Sequence, residues 1–288
     1  MTEGNGVCAM VTKKELIEKI DNGEISRQEV IDNGWLSSVT GRAKRVKQPR
    51  GGYLRPRDFE AIALKGGGED DLEPNENVNP GLVSSAVDYL TRVQTGTNPN
   101  DVFVAAKTGA MNVRELSLCE ELLLDVCDLG DESIEAAIKL SGFDSAFRAG
   151  KAAYRPVEGI IPNRETIENV RKMVNRSVSF FGQYGPKVLD GLTFEGGYTG
   201  YVVAGDGDFL TKDALWDFKV SKQKLTTKHT LQLLMYWRMG LHSIHSKNYE
   251  SIEYLGVYNP RQNTVYRFPV SKIPPETIAE VETEVIGY

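Results

Sequence analysis

Tyr201-Val-Val-Ala-Gly-Asp-Gly-Asp208, followed shortly by Leu215-Trp-Asp-Phe-Lys-Val220, is the stretch on which the fold turns. Both runs are dense in β-branched and aromatic residues. Thr211-Lys212-Asp213 between them is a turn, so the pattern predicts an antiparallel hairpin. Side chains alternate along a strand. Asp217 and Lys219 therefore project from one face, Trp216 and Phe218 from the other, and Asp206 shares a face with Asp208. Pairing across the turn brings two carboxylates and an ammonium to one sheet surface. Phosphodiester hydrolysis needs a hard cation on oxygen ligands, an activated water, and positive charge near the developing phosphorane. Taken singly the signals are weak, because Asp-x-Lys arises often by chance and Asp-Gly-Asp at a strand end is often only a turn. Their order, their spacing and the segment that follows give them weight.

That segment is a helix expected over Thr227 to His242, containing Thr230-Leu-Gln232-Leu-Leu-Met-Tyr236-Trp. Gln232 and Tyr236, four apart, share a helical face with His229 nearby, while Leu231, Leu234 and Met235 can face the sheet. Two further strands, Ile252 to Tyr258 and Thr264 to Pro269, are joined by Asn259-Pro-Arg-Gln-Asn263. Upstream, Leu192 to Glu195 reads as a strand and Tyr198 to Phe209 as one long strand. Apolar residues at helical spacing predict helices over Gly81 to Gln94, Val102 to Ala110, Asn112 to Asp125, Glu132 to Leu140 and Arg164 to Phe181. The layout is α/β (α+β), with a central mixed sheet flanked by helices.

The Gly-x-x-Asp strand ending at Asp208, the Asp-x-Lys strand and the Gln-x-x-x-Tyr helix, in that order, resemble the RecB-like exonuclease branch of the PD-(D/E)XK nuclease superfamily. The resemblance spans roughly Gly81 to Phe268, with its specific motifs in about thirty residues. It implies a restriction-endonuclease-like core and a metal-dependent nuclease, with DNA as substrate and 5′-phosphate products. It also implies Mg2+ or Mn2+ held by Asp208, Asp217 and the Phe218 carbonyl. Lys219 would orient or activate the attacking water, and Gln232 and Tyr236 would shape the site and touch the nucleic-acid strand. Relatives often carry a further ligand on an earlier helix that begins with glycine and small residues. Here Gly81-Leu-Val-Ser-Ser-Ala-Val-Asp88 fits, and Asp88 either serves as that ligand or pairs with Arg92, four residues on. Glu195 and then Glu168 are the alternatives. The iron–sulphur cluster of some relatives is not expected, because the chain has three cysteines, none near either end of the core. No Gly-x-x-x-x-Gly-Lys-Ser/Thr loop occurs, so any ATP-driven unwinding would belong to a helicase or recombination partner.

Residues 1–78 read as a helical, basic extension, and 79–288 as the nuclease domain with a helical insertion at about 97–185. Thr12 with Glu15, and Ser26 with Glu29, have capping-box spacing, so helices are expected near Lys13 and Arg27. From Arg42 to Arg57 lie seven basic residues and no acidic one. Arg42, Lys44, Arg45, Lys47 and Arg50, with Tyr53 among them, are candidates to hold backbone phosphate and stack a base; the alternative is a solvated loop. Pro49, Gly51, Gly52 and Pro56 argue against regular structure there. Gly66 to Asn79 is polar and turn-rich and reads as a linker.

The bulk composition restricts the alternatives. The 288 residues carry 40% apolar and 26% charged side chains, ordinary for a soluble protein. A net charge of −6 argues against a general nucleic-acid coat but is compatible with a nuclease, which needs only local basic patches. No apolar run of about 18 residues exists to span a membrane. Met1 to Val11 lacks a signal-like pattern. Cys8, Cys119 and Cys127 cannot form a disulfide framework. Cys119 and Cys127 read as buried thiols, and the expected setting is reducing and cytoplasmic. His242-x-x-His245 has no further zinc ligands nearby, and no Gly-x-Ser-x-Gly turn marks a serine hydrolase. The remaining rival is a nuclease fold without cleavage, acting as a nucleic-acid-binding or scaffolding subunit.

Overall fold

A computed structural model describes residues 13–26, 29–30, 34–65, 71–148 and 150–288. Its centre is a mixed six-stranded sheet in the order β2-β8-β7-β6-β5-β3. The strands are β2 (Glu60–Ala63), β3 (Leu189–Leu192), β5 (Gly207–Leu210), β6 (Ala214–Phe218), β7 (Tyr254–Asn259) and β8 (Thr264–Pro269). Only β6 and β7 run parallel; the other neighbours are antiparallel. A separate two-residue β1 (Ser37–Ser38) pairs parallel with β4 (Val202–Ala204).

Ten α-helical segments complete the described chain. They are α1 (Lys13–Asp21), α2 (Val39–Arg45), α3 (Pro80–Gln94), α4 (Pro99–Val102), α5 (Val104–Val113), α6 (Leu116–Leu124), α7 (Asp131–Arg148), α8 (Arg164–Tyr184), α9 (Thr227–Leu241) and α10 (Pro275–Glu280). Parallel strands cannot be joined by a tight turn, and α9 is the crossover that carries the chain from β6 to β7. Its Leu231, Leu234 and Met235 bury against Leu210, Leu215, Leu255 and Val257, all on one sheet face. The opposite face carries Phe209, Trp216 and Tyr258, which pack on α8. Phe180 of α8 stacks on Tyr258 at 4.2 Å and meets Trp216 edge-on at 4.9 Å. Gly256, paired with Trp216 across β6 and β7, makes room for that indole: a Cβ there would lie 2.3 Å from the ring. Helices α3 to α8 form a second apolar cluster beside the sheet, built on residues such as Leu90, Ile138 and Val174.

Several expectations are revised. Tyr198 to Phe209 is not one strand but β4 and β5, broken at Gly205-Asp206. Arg114 at φ 68° ends α5, so the helix expected from Asn112 begins only at Leu116. Arg42, Lys44 and Arg45 lie in α2, a regular helix whose N-cap is the Ser38 hydroxyl. The N-terminal residues are also less separate than expected. β2 is the edge strand beside β8, and Val39, Ala43, Leu54 and Phe59 enter the sheet's own core. The expected linker divides: 66–70 lie outside the described residues, while 71–79 form a strap on α8. Glu73 N–H donates to Asn169 Oδ1 at 2.7 Å, and Glu76 pairs with Arg261 at 2.7 Å, both side chains 6% exposed. Cys119 is buried as expected, but Cys127 is exposed. Cys8 lies outside the described residues, as does most of the helix expected near Arg27, although Glu29 N–H does donate to Ser26 Oγ. Among the described residues no helix is long and apolar enough to cross a membrane.

Candidate active site

The hairpin of β5 and β6 closes through Thr211. Its N–H bonds to the Ala214 carbonyl, and its hydroxyl accepts the Trp216 indole N–H at 2.9 Å. Phe209 pairs with Trp216 and Leu210 with Leu215, a register that sets Asp208 opposite Asp217. Both side chains point to the α9 face, as alternation requires. The recorded pairing ends at Phe209, and there the Asp208 carboxylate takes the place of a backbone acceptor, receiving the Phe218 N–H on Oδ2. Lys219 follows on the same face with its backbone N–H on Tyr258 O, and its Nζ lies 2.8 Å from Asp217 Oδ1.

The electrostatics are those of crowded carboxylates. Burial first, and then the charge of Asp217, push Asp208 up to about 8 against the opposing pull of Lys219. Burial works to lower the Lys219 pKa, but Asp217 and Asp208 outweigh it and the net direction is up. Asp217 is only 2% exposed, and its Oδ2 is buried with no hydrogen-bond partner.

Gln232 and Tyr236 stand beneath this pair as a relay. Gln232 Nε2 donates to the Tyr236 hydroxyl at 2.7 Å, which donates to the Asp206 carbonyl at 2.7 Å. Both are buried, with Tyr236 stacked on Phe194 at 5.1 Å. They thus fix the Gly-Asp-Gly-Asp segment from below, and the polar atoms expected to meet a nucleic-acid strand are engaged internally. His229 is in the first turn of α9, where its Nδ1 accepts the Thr226 N–H.

Asp88 of α3 lines the same cleft as Asp208, from the helical layer. It contributes to raising Asp208 and is itself pushed up to about 6 by burial, with Arg92 and Lys187 opposing. The expected alternative, an Asp88–Arg92 pair, is not what forms. Arg92 Nε instead lies 3.5 Å from Asp190 Oδ2, which Lys187 Nζ also approaches at 3.0 Å. Glu195 is exposed, with its backbone carbonyl on the Ile244 N–H, and Glu168 is paired with Arg171. Neither shares the centre. A cleft of about 540 Å³ runs between the helical layer and the sheet, with Asp88, Asp208 and Phe218 among its walls, together with Arg92, Lys187 and Arg148.

The basic segment is mostly committed elsewhere. Arg42 donates to the carbonyls of Val285 (2.9 Å) and Glu284 (2.8 Å) and lies over the Tyr201 ring, tying α2 to the C-terminal turn. Tyr53 packs on the sheet core and bonds Glu280, and Arg45 reaches Ser37. Lys44, Lys47 and Arg50 are exposed. None of the six lines the cleft. Arg92, Lys187, Asp190 and Arg148 were not legible as site residues, because no spacing in the sequence links α3, α7 and the entry to β3.

Among the described residues no group of three or more His, Cys, Asp or Glu side chains is gathered for a metal ion. Two features still fit a cation: the orphaned Oδ2 of Asp217, and the burial of Asp208 beside the charge of Asp217, which together raise its pKa. A divalent ion between these oxygens would relieve both. Comparison with known proteins finds no matching family model, no matching curated protein and no matching solved structure.

Proposed function

We propose that this chain is a metal-dependent nuclease with a PD-(D/E)XK core that hydrolyses phosphodiester bonds in DNA, acting as an exonuclease. The observation that carries the reading is the cross-strand pair Asp208 and Asp217, with Lys219 Nζ 2.8 Å from Asp217 and Asp208 on the wall of an open cleft. Asp208 and Asp217 would hold Mg2+ or Mn2+, helped by the Phe218 carbonyl and by Asp88. Bound there, the ion supplies Lewis-acid activation and charge neutralisation. Lys219 remains an ammonium, since its neighbours raise its pKa. One of its three N–H donors is on Asp217 Oδ1, and two remain to orient a water or a phosphate oxygen. Its role is therefore to position and stabilise charge, not to abstract a proton. Gln232 and Tyr236 are positioning residues that hold the Asp206 carbonyl, and through it the segment leading into Asp208.

A second reading, a nucleic-acid-binding or scaffolding subunit without cleavage, is favoured by the lack of a gathered three-carboxylate group among the described residues. One experiment separates the two. End-labelled linear and closed circular DNA are incubated with the wild-type chain in Mg2+, Mn2+ or EDTA, alongside Lys219→Ala. Metal-dependent loss of linear DNA alone, absent in the variant, is the expected result. Cutting of circles would make it an endonuclease. Binding without cleavage in either metal would favour the second reading, and cleavage by Lys219→Ala at the wild-type rate would overturn the site.

A further inference from the structure

The cleft has an outer end that the carboxylate chemistry does not use. Arg92 Nε is buried there with no hydrogen-bond partner, held beside Asp190 but not bonded to it. Lys187 Nζ approaches the same Asp190 oxygen, at 3.0 Å. On the facing wall the last turn of α7 presents Arg148, its side chain 64% exposed, and Phe147, 48% exposed. Phe147 is the one exposed Phe, Tyr or Trp ring among the described residues, and it lines the same cleft as Asp208.

We infer that this outer end is a binding subsite for single-stranded nucleic acid, with Arg92, Lys187 and Arg148 engaging successive backbone phosphates and Phe147 stacking a base. The inference rests on the nuclease reading of the adjoining carboxylates and adds the form of the substrate and the residues that hold it. Three cations and one exposed ring lining a single cleft match a strand that offers both phosphate charge and aromatic base faces. Phe147 requires a bare base face, which a duplex keeps stacked inside. The cleft, about 540 Å³, is also of the size that encloses single ligand groups. Asp190 fits the same role: it fixes Arg92 and Lys187 in place, and a phosphate can then take the donors it leaves unused. The acidic side chains Asp88 and Asp208 mark the inner end, so a strand lying along the cations runs towards the centre where it would be cut.

The test is binding by the full chain in the Lys219→Ala background, read by fluorescence anisotropy with a single-stranded oligonucleotide and a duplex of the same sequence, across a KCl series. Phe147→Ala is expected to weaken single-strand binding about 5- to 150-fold, the range base stacking spans. Arg148→Gln and Lys187→Gln should each flatten the slope of log K against log salt by ~0.7. Leu124→Ala, an 84% exposed apolar residue outside the cleft, should change nothing. Single strand should compete far better than duplex. Unchanged affinity and slope in Phe147→Ala and Arg148→Gln, with melting temperatures intact, would overturn the subsite while leaving the nuclease reading standing. Cleavage at the wild-type rate by Lys219→Ala would instead overturn the assignment of the carboxylate site without touching these binding data. A chain that binds neither form would overturn both.

Discussion

Replacing Asp208 by asparagine should abolish cleavage and yet stabilise the metal-free protein at neutral and alkaline pH. In the unfolded chain this carboxyl ionises near 3.8; in the folded protein, burial and Asp217 delay ionisation to about 8. Between those values the folded state holds a proton that the unfolded state has lost. Stability therefore falls as pH rises through the window and levels off above it. Each pH unit of delayed ionisation is worth ~1.4 kcal/mol, which sets a ceiling of ~6 kcal/mol for the whole span. Solvent screening at this half-buried carboxylate reduces that to ~1–3 kcal/mol. Asparagine keeps an oxygen for the Phe218 N–H and adds an amide donor near Asp217, whose Oδ2 has no partner. Thermal unfolding in EDTA at pH 5 and pH 8.5 is the assay. The variant's advantage should be small at the lower pH, near the foot of the window, and larger at the upper one, by ~2–4 °C per kcal/mol. Saturating Mg2+ should then reverse the order. It stabilises the wild type by ~2.7 kcal/mol at a hundredfold excess over Kd and does little for a variant that has lost a ligand. A variant that is less stable than wild type at pH 8.5 in EDTA, or a difference that does not change with pH, would refute the crowded-carboxylate account.

Tyr236→Phe removes the hydroxyl that joins Gln232 to the Asp206 carbonyl, leaving a buried amide and a partly buried carbonyl without that partner. It should destabilise by ~1–3 kcal/mol and lower kcat up to ~100-fold through a displaced Asp208, with KM little changed; a KM effect alone would assign the ring to substrate contact. Glu76→Gln strips the partner from Arg261, where both side chains are 6% exposed. The buried guanidinium left behind should lower stability by ~3–5 kcal/mol, read by urea unfolding. A loss under about 1 kcal/mol would mean that the strap over α8 is dispensable.

The hairpin was legible because its information is local. A period of two and a short turn fix which side chains share a face, so Asp208, Asp217 and Lys219 could be brought together before any coordinates existed. The Gln232–Tyr236 relation was legible as a helical spacing, but its partner, the carbonyl of Asp206, was not. A backbone acceptor has no identity in the sequence, and no spacing rule links two positions 30 apart on a strand end and a helix. β2 escaped for a different reason: Glu60–Ala63 is an edge strand with mostly exposed side chains, held by pairing with β8, and apolar patterning marks only strands that bury a face.

The basic run shows the converse error. Seven cations in sixteen residues look like one surface. Within them a helix turns Arg42 inward onto the last carbonyls of the chain and leaves Lys44 outward. Charge density along a sequence is a one-dimensional quantity, whereas affinity for a strand depends on which cations point into the same cleft. Those that do, Arg92, Arg148 and Lys187, come from three elements, and each sits beside an aspartate. In sequence they therefore read as ordinary ion pairs. Only folding, by bringing α3, α7 and the entry to β3 together, sets these three cations around one cleft with Asp88 and Asp208.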